Sequence, residues 1–270
     1  MQTAMDVTAL RATVHVTDPY TVRQLAGREQ VLLGLSTDDQ AHYLDDTHVL
    51  VATGGAGGTT TVLRSIAAQA RRLGARVDIL DLDRRRPSHP WAHNLEGIRV
   101  HDRPDQAHAL LHELRRGLLH AADEFDGTWA ARRLLVIEHT DRLLDALRQH
   151  YLLAQPDTQA EEAPAVEALA ELLQVGRARG LQIIAGSAHS SPPPKGQQIR
   201  DAFPTRLVAY AGTGLWGRVA PEVWPVPPYS VIAGRMHLVR DGAATRLQTL
   251  YLSESQARAW ARGTVPKEYR

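Results

Sequence analysis

A glycine-rich segment is the part of the sequence with the clearest chemistry. It reads Thr53-Gly54-Gly55-Ala56-Gly57-Gly58-Thr59-Thr60-Thr61, it follows a short apolar run at 48–52, and residues 62–70 after it show helical periodicity. A buried strand that enters a glycine-rich turn and then a helix brings backbone N–H groups and the positive end of the helix dipole to one point, which suits a phosphate group. The pattern predicts a phosphate site formed by Gly54, Gly55, Gly57, Gly58, Thr59, Thr60 and Thr61.

The segment departs from the phosphate-loop motif G-x-x-x-x-G-K-[ST] at two of its four defining positions. Thr53 stands at the first glycine and Thr59 at the lysine, whereas Gly58 and the metal-binding hydroxyl, Thr60, are kept. A charge-assisted bond to phosphate contributes about 1.5–3 kcal/mol, so we expect nucleotide binding weakened by about one to two decades. The alternative is a flexible turn between strand and helix with no ligand.

A second acidic position is expected at the end of a neighbouring strand, where it would hold Mg²⁺ and polarise a water molecule. The apolar run 134–137 ends in Glu138 and His139. We expect Glu138 to reach Mg²⁺ through water, with Thr60 as the other metal-binding residue, and His139 to stand where a base would act. The alternative is a strand end with two solvated side chains.

Strand and helix patterns alternate along the chain. Short apolar runs at 76–82, 134–137 and 181–185 are separated by helical stretches at about 105–122 and 163–179, which predicts a parallel sheet covered on both faces. Runs at 13–16 and 31–35 indicate a short β-containing lead-in. Further strands are expected at 206–210, 231–238 and 245–251, the last two as a hairpin, and Ser253 is expected to cap a final helix.

Composition limits the class of protein. The chain has 270 residues, 43% hydrophobic and 23% charged, with no cysteine and a formal net charge of +1. These values exclude disorder and a disulfide scaffold, and they do not by themselves indicate a polyanionic ligand. The sequence has no apolar run of membrane-spanning length and begins without a basic leader, so we expect a cytoplasmic protein without direct membrane insertion.

In the glycine-rich segment and in the strand and helix segments described above, the sequence resembles the FtsK/SpoIIIE family of DNA-pumping ATPases. The similarity is greatest to shorter FtsK-domain proteins of high-GC Gram-positive bacteria. The resemblance extends over about residues 30–262, and it is most specific, after the loop itself, at Pro204-Thr205-Arg206. The other similar segments are 31–35, 48–51, 61–65, 79–83, 88–92, 176–180, 199–207, 234–236 and 257–261.

The resemblance implies an α/β fold with a RecA-like P-loop NTPase core: a mostly parallel central sheet flanked by helices, a C-terminal β-hairpin and the short lead-in. We expect the lead-in at 1–46, the FtsK-like core at 47–264 and a tail at 265–270. It also implies self-assembly into a ring, ATP and Mg²⁺ between subunits, and double-stranded DNA in the pore.

Three positions depart from the family's chemistry: Thr59 replaces the lysine, Glu138-His139 replaces the acidic pair, and the polar sensor falls on or near Ala188. This combination resembles a degenerate member that binds ATP weakly or not at all and acts as a subunit or regulator in DNA transfer or segregation. Two alternatives stay open, an active double-stranded DNA translocase and a nucleotide-independent interaction module.

Assembly is expected as a homo-oligomer or together with an intact FtsK-type ATPase, and any DNA contact is expected to be nonspecific. In the resembled family an arginine of one subunit stabilises charge on the phosphate held by the next. Arg206 is the first candidate for that contact and Lys195 the second. The alternative is that Arg206 pairs within its own subunit.

Overall fold

One large sheet forms the centre of the protein. The computed structural model describes residues 10–25, 29–54, 58–120, 127–157, 160–187, 199–209, 211–228 and 230–264. Eleven strands make a single sheet in the order β3-β2-β11-β10-β9-β4-β8-β7-β5-β6, with β1 paired to β11. The strands are β1 Val14–His15, β2 Leu32–Ser36, β3 Ala41–Tyr43, β4 Val49–Thr53, β5 Arg76–Leu80, β6 Ile98–His101, β7 Arg133–Ile137, β8 Leu181–Ser187, β9 Thr205–Ala209, β10 Arg235–Arg240 and β11 Ala243–Tyr251.

Eight α-helices accompany the sheet in the described part of the chain. They are α1 Pro19–Leu25, α2 Thr59–Arg72, α3 Pro104–His120, α4 Thr140–Ala154, α5 Pro164–Val175, α6 Ile199–Ala202, α7 Thr213–Val219 and α8 Glu254–Ala261. Apolar residues of α3, α4, α5 and α7 form one buried cluster with one face of the sheet, and those of α2 and α8 form another with the opposite face. This is the layered arrangement that the strand and helix alternation predicts.

The central strands run parallel, which places their carboxyl ends at one edge of the sheet. All neighbours from β9 through β4, β8, β7 and β5 to β6 are parallel pairs. Ligands of open α/β sheets bind in the crevice at this edge. The residues that follow β4, β5 and β7 therefore lie at the same edge of the sheet, as a shared site would require.

The remaining strands extend the sheet in antiparallel fashion. β10 and β11 form the expected C-terminal hairpin, which turns at Asp241 and Gly242, both with positive φ. The sheet is mixed and its centre is parallel, so the expected α/β fold with a mostly parallel central sheet is confirmed. The lead-in is part of this sheet, because β2 pairs antiparallel with β11 and β1 pairs parallel with it.

Several elements differ from the sequence expectation. β10 begins at Arg235 and not at 231, because Gly234 has a φ of 73° and the Arg235 N–H bonds to the Ile232 carbonyl in a turn. α5 ends at Val175, where a 3₁₀ turn at Arg177–Arg179 follows. The sequence periodicity did not indicate the helices α1, α4, α6 and α7 or the strands β3 and β6. The two strands are too short to show a period.

A buried acidic residue ties three strands together at the opposite edge of the sheet. Asp78 on β5 accepts bonds from Arg99 at 2.8 Å and His101 at 3.1 Å, both on β6, and from Arg133 of β7 at 2.9 Å. Burial acts to raise the pKa of Asp78, but its bonds to His101, Arg99 and Arg133 outweigh this and hold the pKa at about 2. The carboxylate therefore stays charged and fixes the packing of β6, β5 and β7.

Candidate functional site

The glycine-rich segment begins where the central strand β4 ends. All five residues of β4 are buried, and the Gly54 N–H continues its pairing by donating to the Ala209 carbonyl at 3.1 Å. Gly55 and Gly57 lie outside the described residues. Gly58 is the N-cap of α2 with φ 90°, a backbone conformation that favours glycine.

The start of α2 has backbone donors that the helix itself does not satisfy. Helix geometry leaves the N–H groups of Thr59, Thr60 and Thr61 without intrahelical acceptors. Gly58 provides no side-chain cap, and no acidic residue occupies the first turn of α2. This end of the helix is therefore electrostatically suited to an anion.

Thr53 and Thr59, which stand at the first glycine and the lysine of the phosphate-loop motif, contact each other. The Thr53 hydroxyl oxygen lies 2.8 Å from the Thr59 hydroxyl oxygen, a hydrogen-bond distance, and Thr53 is buried at the end of β4. The bond joins the residue before the glycines to the first residue of α2. The side chain at the lysine position is thus engaged within the protein.

Thr60 and Glu138 meet as the sequence predicts. The Thr60 hydroxyl is hydrogen-bonded to Glu138 Oε1, and the Glu138 side chain is fully buried. Glu138 follows β7, two strands away from β4, and its backbone N–H donates to the Leu80 carbonyl at 3.0 Å. The structure therefore brings the two side chains expected at a metal site, one from α2 and one from the end of β7, into direct contact.

The other oxygen of Glu138 is bound by a residue that the sequence analysis did not assign to the site. His89 Nε2 lies 2.7 Å from Glu138 Oε2, and the Trp91 indole N–H donates to His89 Nδ1 at 3.1 Å. Both His89 and Trp91 are buried. His89 belongs to one of the segments that resemble the family, yet only the position of β5 beside β7 shows what the imidazole contacts.

Asp81 helps to place His89. It follows β5 and is buried, and its Oδ2 accepts the Ser88 N–H at 2.6 Å. The bond closes the loop between Leu82 and Ser88, directly before His89. The short 3₁₀ turn Pro90–Ala92 then continues the chain.

Gly186 near the end of β8 makes room for this arrangement, because β8 lies between β4 and β7. A Cβ at Gly186 would lie 2.5 Å from the Glu138 carbonyl oxygen, 2.8 Å from Thr59 Cγ2 and 3.0 Å from Leu63 Cδ1. The Gly186 carbonyl also accepts the Thr140 hydroxyl at 2.9 Å.

The other two candidate catalytic residues differ in position. His139 is half-buried and is the N-cap of α4, where its carbonyl accepts the Leu143 N–H at 3.0 Å. Arg206 of β9 is 1% exposed, and its Nη2 donates to Glu222 at 2.5 Å. The guanidinium thus lies inside its own chain, and a contact with a second subunit would require the pair with Glu222 to break. Lys195 and Ala188 lie outside the described residues.

A largely apolar cavity adjoins the start of α2. Its volume is about 360 Å³, and Gly58 and Thr61 line it together with His15, Gly234, Thr249 and Tyr251. The Thr249 hydroxyl is already bonded to the Gly234 carbonyl at 2.9 Å. The volume lies within the range of small-molecule pockets, about 300–1,000 Å³.

The residues present fit Mg²⁺ and a nucleotide in part. Hydroxyl and carboxylate oxygens, as at Thr60 and Glu138, are ligands that Mg²⁺ prefers, and the backbone donors of α2 suit phosphate. The described residues contain no group of three or more His, Cys, Asp or Glu side chains arranged to hold a metal ion. A Mg²⁺ ion here would take its other ligands from phosphate oxygens and water, and the cationic side chain of the motif is missing at Thr59.

This architecture is similar to that of several ATPase domains of known structure. The cytoplasmic domain of the Thermomonospora curvata type VII secretion ATPase EccC matches with a TM-score of 0.68 at 21% identity, over 94% of this chain and 29% of that chain. The pCW3 conjugation coupling protein TcpA, a monomer form with ATPγS, matches with a TM-score of 0.69 at 18% identity, over 96% and 76%. ATPases 2 and 3 of T. curvata EccC, in complex with a signal sequence peptide, match with a TM-score of 0.67 at 20% identity, over 93% and 45%.

The chain shares the fold of these ATPase domains, as its sequence resemblance to the FtsK/SpoIIIE family implies. It spans less than a third of the EccC chain and about three quarters of the TcpA chain. No protein-family model and no curated protein matches this sequence. Across the described ranges, no helix is long and apolar enough to cross a membrane.

The tight contacts of Gly186 give a first prediction. Gly186→Ala destabilises the protein by about 1–3 kcal/mol, because the added methyl group meets backbone and packed side chains. Gly217→Ala in α7 is the matched control, since a Cβ there has nothing within 4 Å. Urea unfolding of both variants measures the difference, and equal stability of the two would contradict the packing described between β8, Thr59 and Glu138.

Proposed function

We propose that this chain is a degenerate FtsK/SpoIIIE-type P-loop ATPase domain that binds ATP and Mg²⁺ weakly and hydrolyses ATP close to the background rate. The observation that carries the proposal is the Thr60–Glu138 contact at the start of α2, together with a threonine in place of the loop lysine. The contact preserves the oxygen ligands of a metal site. The substitution removes the positive charge that would face the phosphates.

The phosphate groups are proposed to lie against the N-terminus of α2. Gly58 and the backbone N–H groups of Thr59, Thr60 and Thr61 would bind them, and Gly54, Gly55 and Gly57 would complete the loop. The apolar cavity beside Gly58 and Thr61 would take the nucleoside, since it adjoins this helix end. The cavity was not foreseen from the sequence, because its walls come from β1, β11 and the segment before β10.

Thr60 and Glu138 would hold Mg²⁺, which when bound neutralises charge on the phosphates. The Thr60 hydroxyl faces the carboxylate and would contact the ion, while Glu138 would reach it through water. His139, directly after Glu138 at the start of α4, would serve as the proton acceptor for an attacking water. A histidine in that position and a loop without lysine both support slow turnover.

The low activity proposed for the chain suggests a role within an assembly. We propose that it acts as a subunit or regulator in DNA transfer or segregation, as a homo-oligomer or together with an intact FtsK-type ATPase. Any contact with double-stranded DNA would be nonspecific and salt-dependent, because it would rest on arginine contacts with phosphate and not on the near-zero net charge. The fold shared with a conjugation coupling protein supports this proposal.

Mixing experiments test the assembly. We expect light scattering to show self-association, or the addition of this chain to change the ATPase rate of an intact FtsK-type protein from the same cell. A strict monomer that leaves the partner's rate unchanged would contradict the role in an assembly and favour a solitary interaction module. Robust Mg²⁺-dependent hydrolysis by this chain alone, lost in Thr60→Ala, would instead favour the active translocase.

Restoring the loop lysine tests the nucleotide site itself. Thr59→Lys is expected to tighten ATPγS binding about 10- to 100-fold, because the ammonium group adds a charge-assisted bond to phosphate. Thr59→Lys replaces the side chain bonded to the Thr53 hydroxyl, and Thr53→Gly combined with Thr59→Lys restores both altered motif positions, so the double variant is expected to bind at least as tightly as Thr59→Lys alone.

Thr264→Lys is the control for these variants, since it adds the same charge at an exposed position after α8. Calorimetric titration with ATPγS in Mg²⁺ gives the four affinities. Equal affinity of wild type and both loop variants would show that the segment is not a phosphate site.

A further inference from the structure

The buried carboxylate of Glu138 is hydrogen-bonded at both of its oxygens. Its Oε1 is bonded to the Thr60 hydroxyl and its Oε2 to His89 Nε2. His89 is an ionisable side chain, and its Nε2 lies 2.7 Å from Glu138 Oε2. A carboxylate removed from water in this way is stable only if its oxygens are hydrogen-bonded.

The contact with Trp91 determines which nitrogen of His89 carries the proton. The indole N–H can only donate, and it lies 3.1 Å from His89 Nδ1. Nδ1 must therefore accept, which leaves the proton on Nε2, facing Glu138. His89 is thus a neutral imidazole that donates one hydrogen bond to the carboxylate.

We propose that His89 is a positioning residue of the nucleotide site: it holds Glu138 with Oε1 directed at Thr60, and it thereby sets how strongly Mg²⁺ supports nucleotide binding. The inference rests on the proposed function, because it assigns a further residue to that site. Trp91 fixes the tautomer of His89, and Asp81 closes the loop that brings His89 to Glu138. Among the described residues, the Thr60 and His89 side chains are hydrogen-bonded to the two oxygens of Glu138.

The arrangement is the outer-shell support that metal-binding carboxylates usually have. Loss of such a partner typically lowers metal affinity about 10- to 100-fold. If His89 only filled space, its replacement by an apolar side chain of similar volume would not change metal affinity, because the carboxylate of Glu138 would not move.

The test compares His89→Leu, which fills a similar volume without a donor, with His89→Gln, which keeps a neutral donor of similar reach. ATPγS binding is titrated with Mg²⁺ to find the half-saturating Mg²⁺ concentration. We expect His89→Leu to raise it about 10- to 100-fold and His89→Gln to leave it within about threefold of wild type. An unchanged value in a folded His89→Leu variant overturns the proposal.

A second measurement does not depend on nucleotide. ¹⁵N NMR of the histidine side chains at neutral pH, with the His89 signals identified by their loss in His89→Gln, should show a proton on Nε2 and a bare Nδ1. A proton on Nδ1 in wild type overturns the assignment of His89 whatever the titration shows. If wild type binds no ATPγS while Nε2 carries the proton, the proposed function fails although the contact with Glu138 stands.

Discussion

Glu138 places a carboxylate inside the protein, and three separate segments supply what this group requires. β7 carries it to the edge of the sheet, α2 brings the Thr60 hydroxyl to one oxygen, and the turn after β5 brings His89 to the other. A buried carboxylate without such bonds costs several kcal/mol, so the three segments are held together by the same requirement. The start of α2 is thereby held against the buried Glu138 side chain.

The loop without lysine is organised by a second internal contact. Thr53 and Thr59 occupy the two positions where the sequence departs from the phosphate-loop motif, and their hydroxyl groups bond to each other. Gly186 on the intervening strand leaves room for the Thr59 methyl group. The two departures from the motif are therefore coupled. The bond between Thr53 and Thr59 joins the end of β4 to the start of α2, and it uses the side chain that stands at the lysine position.

The sequence predicted the parts of this site that follow local rules. Glycines between an apolar strand and an amphipathic helix indicated the turn before α2, and the acidic residue after 134–137 indicated Glu138. Ser253 forms the expected N-cap of α8, with a full capping box to Gln256. His89 and Gly186 could not be found in this way, because their roles depend on the strand order β4-β8-β7-β5, which places side chains together that are far apart in sequence. Arg206 resembled a family position, but only the structure shows that Glu222 binds it.

We propose that a phosphate loop without its lysine still forms a Mg²⁺-dependent nucleotide site through Thr60 and Glu138. Equilibrium titration of the purified chain with ATPγS and Mg²⁺, compared with Thr60→Val, tests it most directly. We expect saturable binding with a Kd on the order of tens of micromolar or poorer, and loss of the Mg²⁺ effect in Thr60→Val, which keeps the shape of threonine without its hydroxyl. Absence of saturable binding at millimolar ATPγS, or identical Mg²⁺ dependence in Thr60→Val, would contradict it.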